Sequence, residues 1–460
     1  MTLDPLLTPR SIALVGASQD PTKVSGLPLA LLRHHGFRGP IYPVNPKHRT
    51  VQGLRSFPDV GAVPGPVDLA IIALAAPAAL AALAACADRG VRAAVLFSAG
   101  FAEVGPAGVK LQEEAGEIAR RGRIRLLGPN CQGFINLRDR VAATFTAAAQ
   151  LPLRAGTVGL VTQSGALGGS LLSMAHDMGL GLSFWISTGN EADITALDCL
   201  EALLEDQGTR VLASYIEGVH DGRRLVALTE RARQAGKPLV VLKAGRSPVG
   251  QQATRSHTGA LAGSDAIYNA LFRQKGVIRV GDLDELLEVA ALLTAGHLLR
   301  RGVAILSSSG GAGVLMADAC QERGVPVPPL SPQTTARLGE ILPPYASAQN
   351  PVDMTGQILN DPSLLRRCLA ALLEEERVDA VGVALTMVTG QLAKEIAEAI
   401  AEEARRSERV VAVAWMAGGL AEQAYAILRR EGIPLYRTPT ACARAMGQLF
   451  EFSRRLAGLP

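Results

Sequence analysis

The sequence predicts an α/β protein whose parallel sheets are joined by crossover helices and divided among several domains. Short apolar runs that are typical of strands alternate with longer helical patterns along the chain, which favours parallel strands connected through helices. Most of these runs end in a turn that contains glycine or proline. With 460 residues, 48% of them apolar, the chain is long enough for several hydrophobic cores.

The first third of the chain predicts one doubly wound domain over residues 1–147. Its predicted strands are short and apolar, and a glycine- or proline-bearing turn follows each of them: residues 11–15, 39–44, 69–73, 93–97 and 125–127. Residues 148–156 contain a proline and polar breaks, so they suit a linker to the next domain.

The same pattern starts again twice, which predicts a second domain over residues 148–298 and a third over residues 299–460. The second domain has predicted strands at residues 157–161, 183–187, 211–217 and 239–243, and a helix to about residue 295. The third has predicted strands at residues 302–307, 380–385 and 410–414, and a final helix at 440–455. Residues 157–179 and 302–324 share one order of strand, small polar turn and helix, which favours an internal duplication over a merely common way to begin an α/β domain.

Charge and cysteine content exclude several classes of protein. The net charge is +4, with 46 basic and 42 acidic residues scattered along the chain, so no nucleic-acid footprint is predicted, although a small positive excess suits phosphates or CoA. The six cysteines lie far apart without a CxxC pair, which argues against a disulfide framework and a zinc site. No signal peptide and no membrane span is recognisable, and we therefore expect a cytoplasmic protein without a metal site.

The first glycine turn lies in the sequence IALVGASQDPTKVSG, residues 12–26. Backbone amides at Gly16, Ala17 and Ser18 are predicted to face a pyrophosphate at the start of a helix. The spacing is not GxGxxG and no acidic residue is placed for a ribose, which disfavours an oxidoreductase that uses a nicotinamide cofactor. Lys47 after the second strand favours an extra phosphate; the alternative is an ordinary turn with a solvated lysine.

The second domain offers a further glycine turn and a carboxylate. The amides of the turn and the Ser164 hydroxyl are predicted to hold one phosphate, unless the turn serves only close packing of strand and helix; the turn comprises Gln163, Ser164, Gly165 and Ala166. Glu217 ends an apolar strand at the edge where open α/β sheets bind ligands, and there it can orient an imidazole. Its alternative is a helix cap or a surface carboxylate.

His257 stands in SHTGALAGSD, residues 256–265, which we predict to be a loop of small and hydroxylated residues. With few bulky neighbours in sequence, the imidazole is available for chemistry, and a phosphoryl carrier is the predicted role. The alternatives are a loop histidine without function and a serine nucleophile in QSGALGG. That string is not a GxSxG elbow, and no obvious base follows it.

Taken in order, the motifs resemble one family, the α subunits of NDP-forming acyl-CoA synthetases. The ADP-forming acetate–CoA ligases are the most similar members, and succinyl-CoA synthetase α is a more distant relative. The stretches IALVGASQDPTKVSG, IYPVNPK, FSAGFAEVG and LLGPNCQGFIN resemble the family's CoA-binding domain. Its first ligase domain is matched by LVTQSGALGGSL, STGNEADI, YIEG and SHTGALAGSD, and its second by SSSGGAGVLMADACQERG and LPPYASAQNPVDMTG. Each piece is weak, but the ordered set covers nearly the whole chain.

The resemblance implies an N-terminal Rossmann-like CoA-binding domain followed by two flavodoxin-like, succinyl-CoA-synthetase-like doubly wound domains. It implies that His257 is phosphorylated and that Glu217 stabilises the phosphohistidine. The turn at residues 163–166 matches a phosphate-holding helix N-terminus. The residues that the resemblance places near CoA are Gly16, Ala17, Ser18, Lys47 and Asn130. Gly310 and Gly311 lie in SSSGGAGV, where the family usually has Asn-Ala-Gly-Gly-Pro-Gly, and we expect a second phosphate-binding turn there.

The implied reaction is acyl-CoA + phosphate + NDP ⇌ carboxylate + CoA + NTP, through an acyl phosphate and a phosphohistidine. The expected ligands are CoA, phosphate and ADP or ATP, with nucleotide and Mg²⁺ bound mainly by a partner. Because nothing in the chain resembles an ATP-grasp domain, we expect a separate ATP-grasp β subunit in an α2β2 assembly and a small carboxylic acid as substrate. The sequence leaves open the acid and the choice of ADP or GDP. The alternative function is a non-catalytic acyl-CoA-binding or regulatory protein that lacks the ATP-grasp half.

Overall fold

The structure of the chain is a computed structural model, which describes residues 2–258 and 264–457, without the side chains of residues 254–258. The described chain divides into two compact units, Met1–Asp177 with Gly181–Gly281, and Met178–Leu180 with Asp282–Pro460. Parallel strands joined by helices build both units, so the predicted α/β class is confirmed.

The first sheet of the first unit is parallel, with the strand order β2-β1-β5-β6-β7. The strands are β1 Ile12–Val15, β2 Ile41–Val44, β3 Thr50–Val51, β4 Leu54–Arg55, β5 Leu69–Ile72, β6 Ala93–Leu96 and β7 Arg125–Leu127, with β3 and β4 forming a small hairpin apart from this sheet. The helices are α1 Asp4–Leu7, α2 Leu27–His34, α3 Ala76–Asp88 and α4 Pro106–Gly122. Strands β1, β5 and β6 are buried along their whole length, as expected where helices cover both faces of a parallel sheet.

The second sheet of this unit has the order β14-β13-β12-β10-β11-β8-β9. Its strands are β8 Gly133–Asn136, β9 Val141–Thr144, β10 Ala155–Thr162, β11 Leu182–Ser187, β12 Val211–Ile216, β13 Leu239–Lys243 and β14 Ile278–Val280. The helices are α5 Gly165–Asp177, α6 Ala196–Glu205, α7 Gly222–Gln234, α8 Pro248–Thr258 and α9 Asp265–Lys275.

A hairpin that the sequence analysis did not predict extends this second sheet. Strand β8 pairs antiparallel with β11 and with β9, so residues 133–144 belong to the second sheet although they precede the predicted division at residue 147. Side chains of both sheets, among them Leu14, Phe134 and Ile186, lie in one apolar cluster. The first unit therefore has a core shared by its two sheets, and the division at residue 147 stays a prediction.

The second unit contains a parallel sheet of order β16-β15-β17-β18-β19. Its strands are β15 Val303–Ser307, β16 Val352–Asp353, β17 Ala380–Thr386, β18 Val410–Met416 and β19 Leu435–Tyr436. Its helices are α10 Leu283–Leu293, α11 Gly310–Glu322, α12 Pro332–Ile341, α13 Ser363–Leu373, α14 Gly390–Arg405, α15 Glu422–Arg430 and α16 Pro439–Leu456. Across the described residues, no helix combines the length and the apolar character that a membrane span requires.

Helix α10 is part of the second unit, whereas the sequence analysis assigned it to the preceding domain. The guanidinium of Arg444 on α16 donates to Glu288 on α10 at 2.8 Å, and the Tyr436 hydroxyl donates to the carbonyl of Glu288 at 3.2 Å. Burial raises the pKa of Glu288, while the hydrogen bond and the charge of Arg444 act in the opposite direction. Long-range contacts of this kind decide which unit a helix joins, and a local sequence pattern does not show them.

The two segments predicted to be duplicates have the same local structure. Each helix begins three residues after its strand ends, α5 after β10 and α11 after β15. A glycine at the fourth helical position faces the end of the strand in both cases. A Cβ at Gly168 would lie 2.6 Å from Cγ2 of Thr162, and one at Gly313 would lie 3.3 Å from Cβ of Ser307. The small residues therefore allow the helix to approach its strand closely.

Candidate functional site

The carboxyl edge of the second sheet brings together two motifs that are far apart in the sequence. Gln163 follows β10 and Glu217 follows β12, and these strands are parallel neighbours in which Thr162 pairs with Tyr215. The side-chain oxygen of Gln163 accepts from the amide of Glu217 at 2.5 Å and from the amide of Gly218 at 3.1 Å. The glycine turn and the carboxylate thus belong to one site.

Gln163 holds the residues of this site together, and its N–H groups are not available as hydrogen-bond donors to a phosphate. Its backbone N–H donates to the carbonyl of Tyr215 at 3.1 Å. Its side-chain Nε2 donates to the carbonyl of Gly218 at 2.9 Å and to Oε1 of Glu191 at 3.0 Å. All N–H groups of Gln163 are therefore engaged within the protein, which leaves the neighbouring residues of the turn to meet a ligand.

The N-terminus of α5 has the geometry of an anion site. The Ser164 hydroxyl accepts from the amide of Leu167 at 3.3 Å, and the Thr162 hydroxyl donates to the carbonyl of Ser164 at 2.9 Å, so the turn is fixed from both sides. In the described part of the chain, no acceptor is assigned to the amides of Gly165 and Ala166. Free amides at the positive end of a helix dipole suit a phosphate.

Glu217 is buried at the end of β12, with 8% of the residue exposed. The Tyr215 hydroxyl lies 3.5 Å from Oε1 of Glu217. Burial, followed by the charge of Glu217, raises the pKa of Tyr215 above its usual range, so this hydroxyl stays protonated and donates. A carboxylate held in this way can accept a hydrogen bond from an imidazole N–H.

Glu191 is a site residue that the sequence analysis missed, although it lies within the quoted motif STGNEADI. Its backbone is left-handed, with φ +61°, which is uncommon for a residue with a side chain. Besides the Gln163 amide, its Oε1 accepts from the Thr188 hydroxyl and the Ala196 amide, both at 2.8 Å. Burial raises the pKa of Glu191, and these hydrogen bonds, with a smaller effect of His220, oppose the shift. Its carboxylate fixes the orientation of Gln163.

A cavity of about 800 Å³ opens beside these residues in the first unit. It is lined by Gln163, Glu191, Glu217 and His220, together with residues of α4 such as Gln112. His220 is solvent-exposed. Among the residues whose side chains are described, no group of three or more His, Cys, Asp and Glu is placed to hold a metal ion.

The first-sheet turn differs from the prediction in its backbone amides. The amides of Gly16 and Ala17 both donate to the carbonyl of Val44, at 3.0 and 3.3 Å, and the amide of Ser18 donates to Ser25 at 3.1 Å. In the structure these three amides therefore have acceptors within the protein, and a contact of this turn with a pyrophosphate stays a prediction. The next helix, α2, begins only at Leu27, so no helix N-terminus follows the turn directly.

Glycine is required at position 16 by the packing of the protein itself. Gly16 has φ +89°, and a Cβ there would lie 2.8 Å from the carbonyl oxygen of Ala73, so only glycine fits. Lys47 is exposed beyond β2 and is available to an anion. The assignment of Gly16, Ala17, Ser18 and Lys47 to CoA binding stays a prediction.

Asn130 connects the two sheets of the first unit. Its backbone is left-handed, with φ +54°, and its amide donates to the carbonyl of Ser98 at 2.9 Å. Its side-chain Nδ2 donates to Oδ1 of Asn190 at 3.2 Å, next to Glu191. Asn130 thus joins the first sheet to the motif that carries Glu191, and a contact with CoA stays a prediction.

The second unit has a turn of similar build at Gly310 and Gly311, the first residues of α11. In the described part of the chain, no acceptor is assigned to the amides of these two glycines. A Cβ at Gly310 would lie 3.1 Å from Oδ2 of Asp353, so a carboxylate already stands beside this helix N-terminus. The altered sequence SSSGGAGV therefore keeps a helix N-terminus with free amides, and its phosphate role stays a prediction.

His257 lies in α8, Pro248–Thr258, and its side chain is outside the described residues. The predicted loop thus begins as helix at residues 256–258, while residues 259–263 are outside the described part of the chain. Ser264 occupies the cap position of α9. The roles of His257 and Glu217 stay predictions.

Three family matches cover most of the chain. Residues 10–136 match the CoA binding domain family, residues 155–293 the succinyl-CoA ligase like flavodoxin domain, and residues 303–460 the Ligase-CoA domain. These matches agree with the predicted succession of a CoA-binding region and two ligase regions.

Similar proteins are known in archaea. The chain is 36% identical to the α subunit of ADP-forming acetate–CoA ligase II of Pyrococcus furiosus, over 99% of both chains. It is 38% identical to ADP-forming acetate–CoA ligase I of Archaeoglobus fulgidus, over 98% of this chain but 64% of that protein. A similar solved structure is the dinucleotide-forming acetyl-coenzyme A synthetase 1 of Candidatus Korarchaeum cryptofilum in complex with phosphate and ADP, with a TM-score of 0.91, 32% identity, and coverage of 99% and 97%.

Proposed function

The chain belongs to the family of ADP-forming acetate–CoA ligase α subunits, and we propose that it catalyses acyl-CoA + phosphate + ADP ⇌ carboxylate + CoA + ATP together with a separate ATP-grasp β subunit. The observation that carries the proposal is the hydrogen bond at the second sheet by which the Gln163 side chain, in the turn before α5, holds the backbone amide of Glu217. A phosphate requires hydrogen-bond donors such as the amides at the α5 N-terminus, and a histidine that receives a phosphoryl group requires a carboxylate such as Glu217.

In the first step, phosphate bound at the α5 N-terminus attacks the thioester carbonyl of acyl-CoA. A C–O bond forms, the C–S bond breaks, and CoA leaves as a thiolate while an acyl phosphate remains. The charge of phosphate opposes its approach to further anions, and the amides of Gly165 and Ala166 with the α5 dipole offset part of it. Gln163 contributes by holding the turn in place.

In the second step, a ring nitrogen of His257 attacks the phosphorus of the acyl phosphate. The N–P bond forms, the P–O bond to the acyl group breaks, and the carboxylate leaves. Glu217 accepts a hydrogen bond from the other ring nitrogen and stabilises the positive charge that develops on the imidazole. Tyr215 donates to the same carboxylate and keeps it oriented.

The phosphoryl group then passes from His257 to ADP on the partner subunit, in an α2β2 assembly that the family resemblance suggests. The similar Korarchaeum structure contains phosphate and ADP, which supports both as ligands of the reaction. Mg²⁺ would neutralise the charge of the nucleotide and is assigned to the partner. For this reason the chain alone is expected to form phosphohistidine but no ATP.

A screen of acyl-CoA thioesters tests the function. The chain co-expressed with its ATP-grasp partner is expected to form ATP from ADP, phosphate and a suitable acyl-CoA, and to lose this activity when either subunit is omitted. ATP formation by the chain alone would contradict the two-subunit proposal. Binding of acyl-CoA without labelling from [³²P]phosphate, with any thioester, would instead support the acyl-CoA-binding or regulatory function.

The variant Glu191→Gln is expected to slow phosphohistidine formation about tenfold, or about 1.4 kcal/mol, with an unchanged KM for acyl-CoA. A carboxylate only accepts, so it forces Nε2 of Gln163 towards itself and Oε1 towards the amides of Glu217 and Gly218. A glutamine at this position permits the opposite orientation.

Rapid-quench labelling with [³²P]phosphate and acyl-CoA measures this effect. The control is Glu205→Gln, since the Glu205 side chain is 73% exposed and forms an ion pair with Arg231 at the surface. Equal rates in wild type and Glu191→Gln would show that Gln163 needs no such orientation.

A further inference from the structure

We propose that Tyr268 and Lys243 are positioning residues for the Glu217 turn and that they tie this turn to the start of α9. This inference rests on the proposed function of Glu217. Neither residue touches the reacting atoms in the mechanism above. Both lie on elements that pack beside the site, α9 and the end of β13.

The turn that carries Glu217 is held through three consecutive amides. Gln163 accepts from two of them, those of Glu217 and Gly218. The third, the amide of Val219, donates to the hydroxyl oxygen of Tyr268 at 3.1 Å. Gln163, which follows β10, thus holds the first two amides of the turn, and Tyr268 on α9 holds the third. The contact of Tyr268 is made by its hydroxyl group alone.

The ammonium group of Lys243 lies over the aromatic ring of Tyr268. Lys243 is the last residue of β13, pairs in register with Ile216, and is only 1% exposed. Its ammonium group lies 4.9 Å from the centroid of the Tyr268 ring and donates to the carbonyl of Ala244. A cation at this distance over an aromatic face attracts the ring, and more strongly where water is excluded.

Burying the ammonium group of Lys243 costs desolvation free energy. Burial lowers the pKa of Lys243, and the charge of Arg279 acts in the same direction, whereas the carboxylates of Asp265 and Glu217 oppose them. A methionine would fill similar space without the desolvation cost. The charge therefore serves the surrounding groups rather than packing.

Those surrounding groups include the beginning of α9. Asp265 is the first residue of α9 and forms an ion pair with Arg279 at 2.5 Å, beside Lys243. One cluster of charges thus fixes the start of α9 and, through Tyr268, the amide of Val219. Glu217 and the start of α9 are consequently held in one arrangement.

Single-turnover labelling of the full chain with [³²P]phosphate and acyl-CoA tests the inference. Tyr268→Phe removes only the hydroxyl, and Lys243→Met removes the ammonium group, with its charge and its hydrogen bond to the Ala244 carbonyl. Each variant is expected to form phosphohistidine about 5- to 30-fold more slowly, with KM for acyl-CoA unchanged and no lower melting temperature for Lys243→Met. In the double variant the losses are expected to be less than additive because both act through one contact.

Two matched controls separate positioning from general stability. Tyr425→Phe removes a buried hydroxyl that accepts from the Ala417 amide at 3.2 Å and donates to Trp415 at 3.0 Å in the second unit. Lys237→Met removes an ammonium group that donates to Leu204 and Asp206, each at 2.7 Å. Both controls are expected to label at the wild-type rate.

The outcomes are distinguishable. Wild-type labelling rates in Tyr268→Phe and Lys243→Met would overturn the inference, whatever happens to their melting temperatures. Equal slowing in Tyr425→Phe would also overturn it, because the effect would then follow from lost stability. Absence of label in the wild type itself would contradict the proposed function instead.

Discussion

The His257→Ala variant is expected to take up no phosphate label, either from [³²P]phosphate with acyl-CoA or, with the partner subunit, from [γ-³²P]ATP. Alanine has no nucleophilic nitrogen, so the acyl phosphate has no acceptor on this chain. CoA binding is expected to persist, since the residues predicted near CoA lie on the first sheet. Acid-labile, base-stable label on the wild type and its absence from the variant, measured beside CoA binding by calorimetry, check both expectations.

His176→Ala is the matched control for this experiment. His176 lies near the C-terminal end of α5, away from the turn at Gly165, so its loss is expected to leave labelling unchanged. Persistent label in His257→Ala would show that another group receives the phosphoryl group. His220 would then be the first residue to replace, because it lines the cavity together with Glu217.

The strands of the parallel sheets could be predicted closely, because burial on both faces leaves a continuous apolar run in the sequence. Residues 125–127 and 239–243 were predicted with the bounds that β7 and β13 have in the structure. Others differ by one or two residues at an end, such as β10, predicted at 157–161 and found at Ala155–Thr162. The short strands β14, β16 and β19 were not predicted. Strand ends depend on hydrogen bonds to neighbouring strands, which local composition does not show.

The partners of an element were harder to predict than the element itself. Strands β8 and β9 join β11 through antiparallel pairing, and helix α10 contacts α16 through Glu288 and Arg444. These contacts join residues that are distant in the sequence. A single sequence shows which face of a helix or strand is apolar, but it does not show which other element packs against that face.

At the site, the residue types were predictable and several of their contacts were not. Gln163 and Glu217 were identified from separate motifs, but only the structure shows that one holds the amide of the other. The amides of Gly16 and Ala17 were expected to face a ligand, and in the structure they donate to Val44. Glu191 was missed because its left-handed backbone and its three donors are tertiary features.

The two similar turns differ in the residue that follows the neighbouring strand. In the second unit, Ser308 stands where Gln163 does, and its hydroxyl oxygen accepts from the amide of Thr386 at 3.0 Å. The residue after β17 is Met387, which is 62% exposed and left-handed, whereas the residue after β12 is Glu217. In both units a side chain after the first strand thus accepts from a backbone amide at the end of the neighbouring strand, but the residue that follows this neighbouring strand is acidic in the first unit and apolar in the second.

The Glu217→Gln variant is therefore expected to separate bracing from charge. Glutamine has nearly the same shape, and the backbone contacts of residue 217 with Gln163 do not involve its side chain. What the variant loses is the negative charge that we propose to face the phosphorylated imidazole. Because charge-assisted hydrogen bonds in sites of low exposure are strong, we expect phosphohistidine formation to slow about 100-fold with an unchanged KM for acyl-CoA.

Glu403→Gln is the matched control, since Glu403 is a buried carboxylate of the second unit that accepts from Arg406 at 3.0 Å. Glu403→Gln is expected to form phosphohistidine at the wild-type rate, even if its melting temperature changes. If Glu217→Gln labels as fast as this control, the carboxylate takes no part in the transfer, although His257 can remain the acceptor. If it labels slowly but Glu191→Gln is unaffected, the charge acts without the Gln163 brace. The pair of variants thus assigns the electrostatic and the geometric contributions of one turn separately.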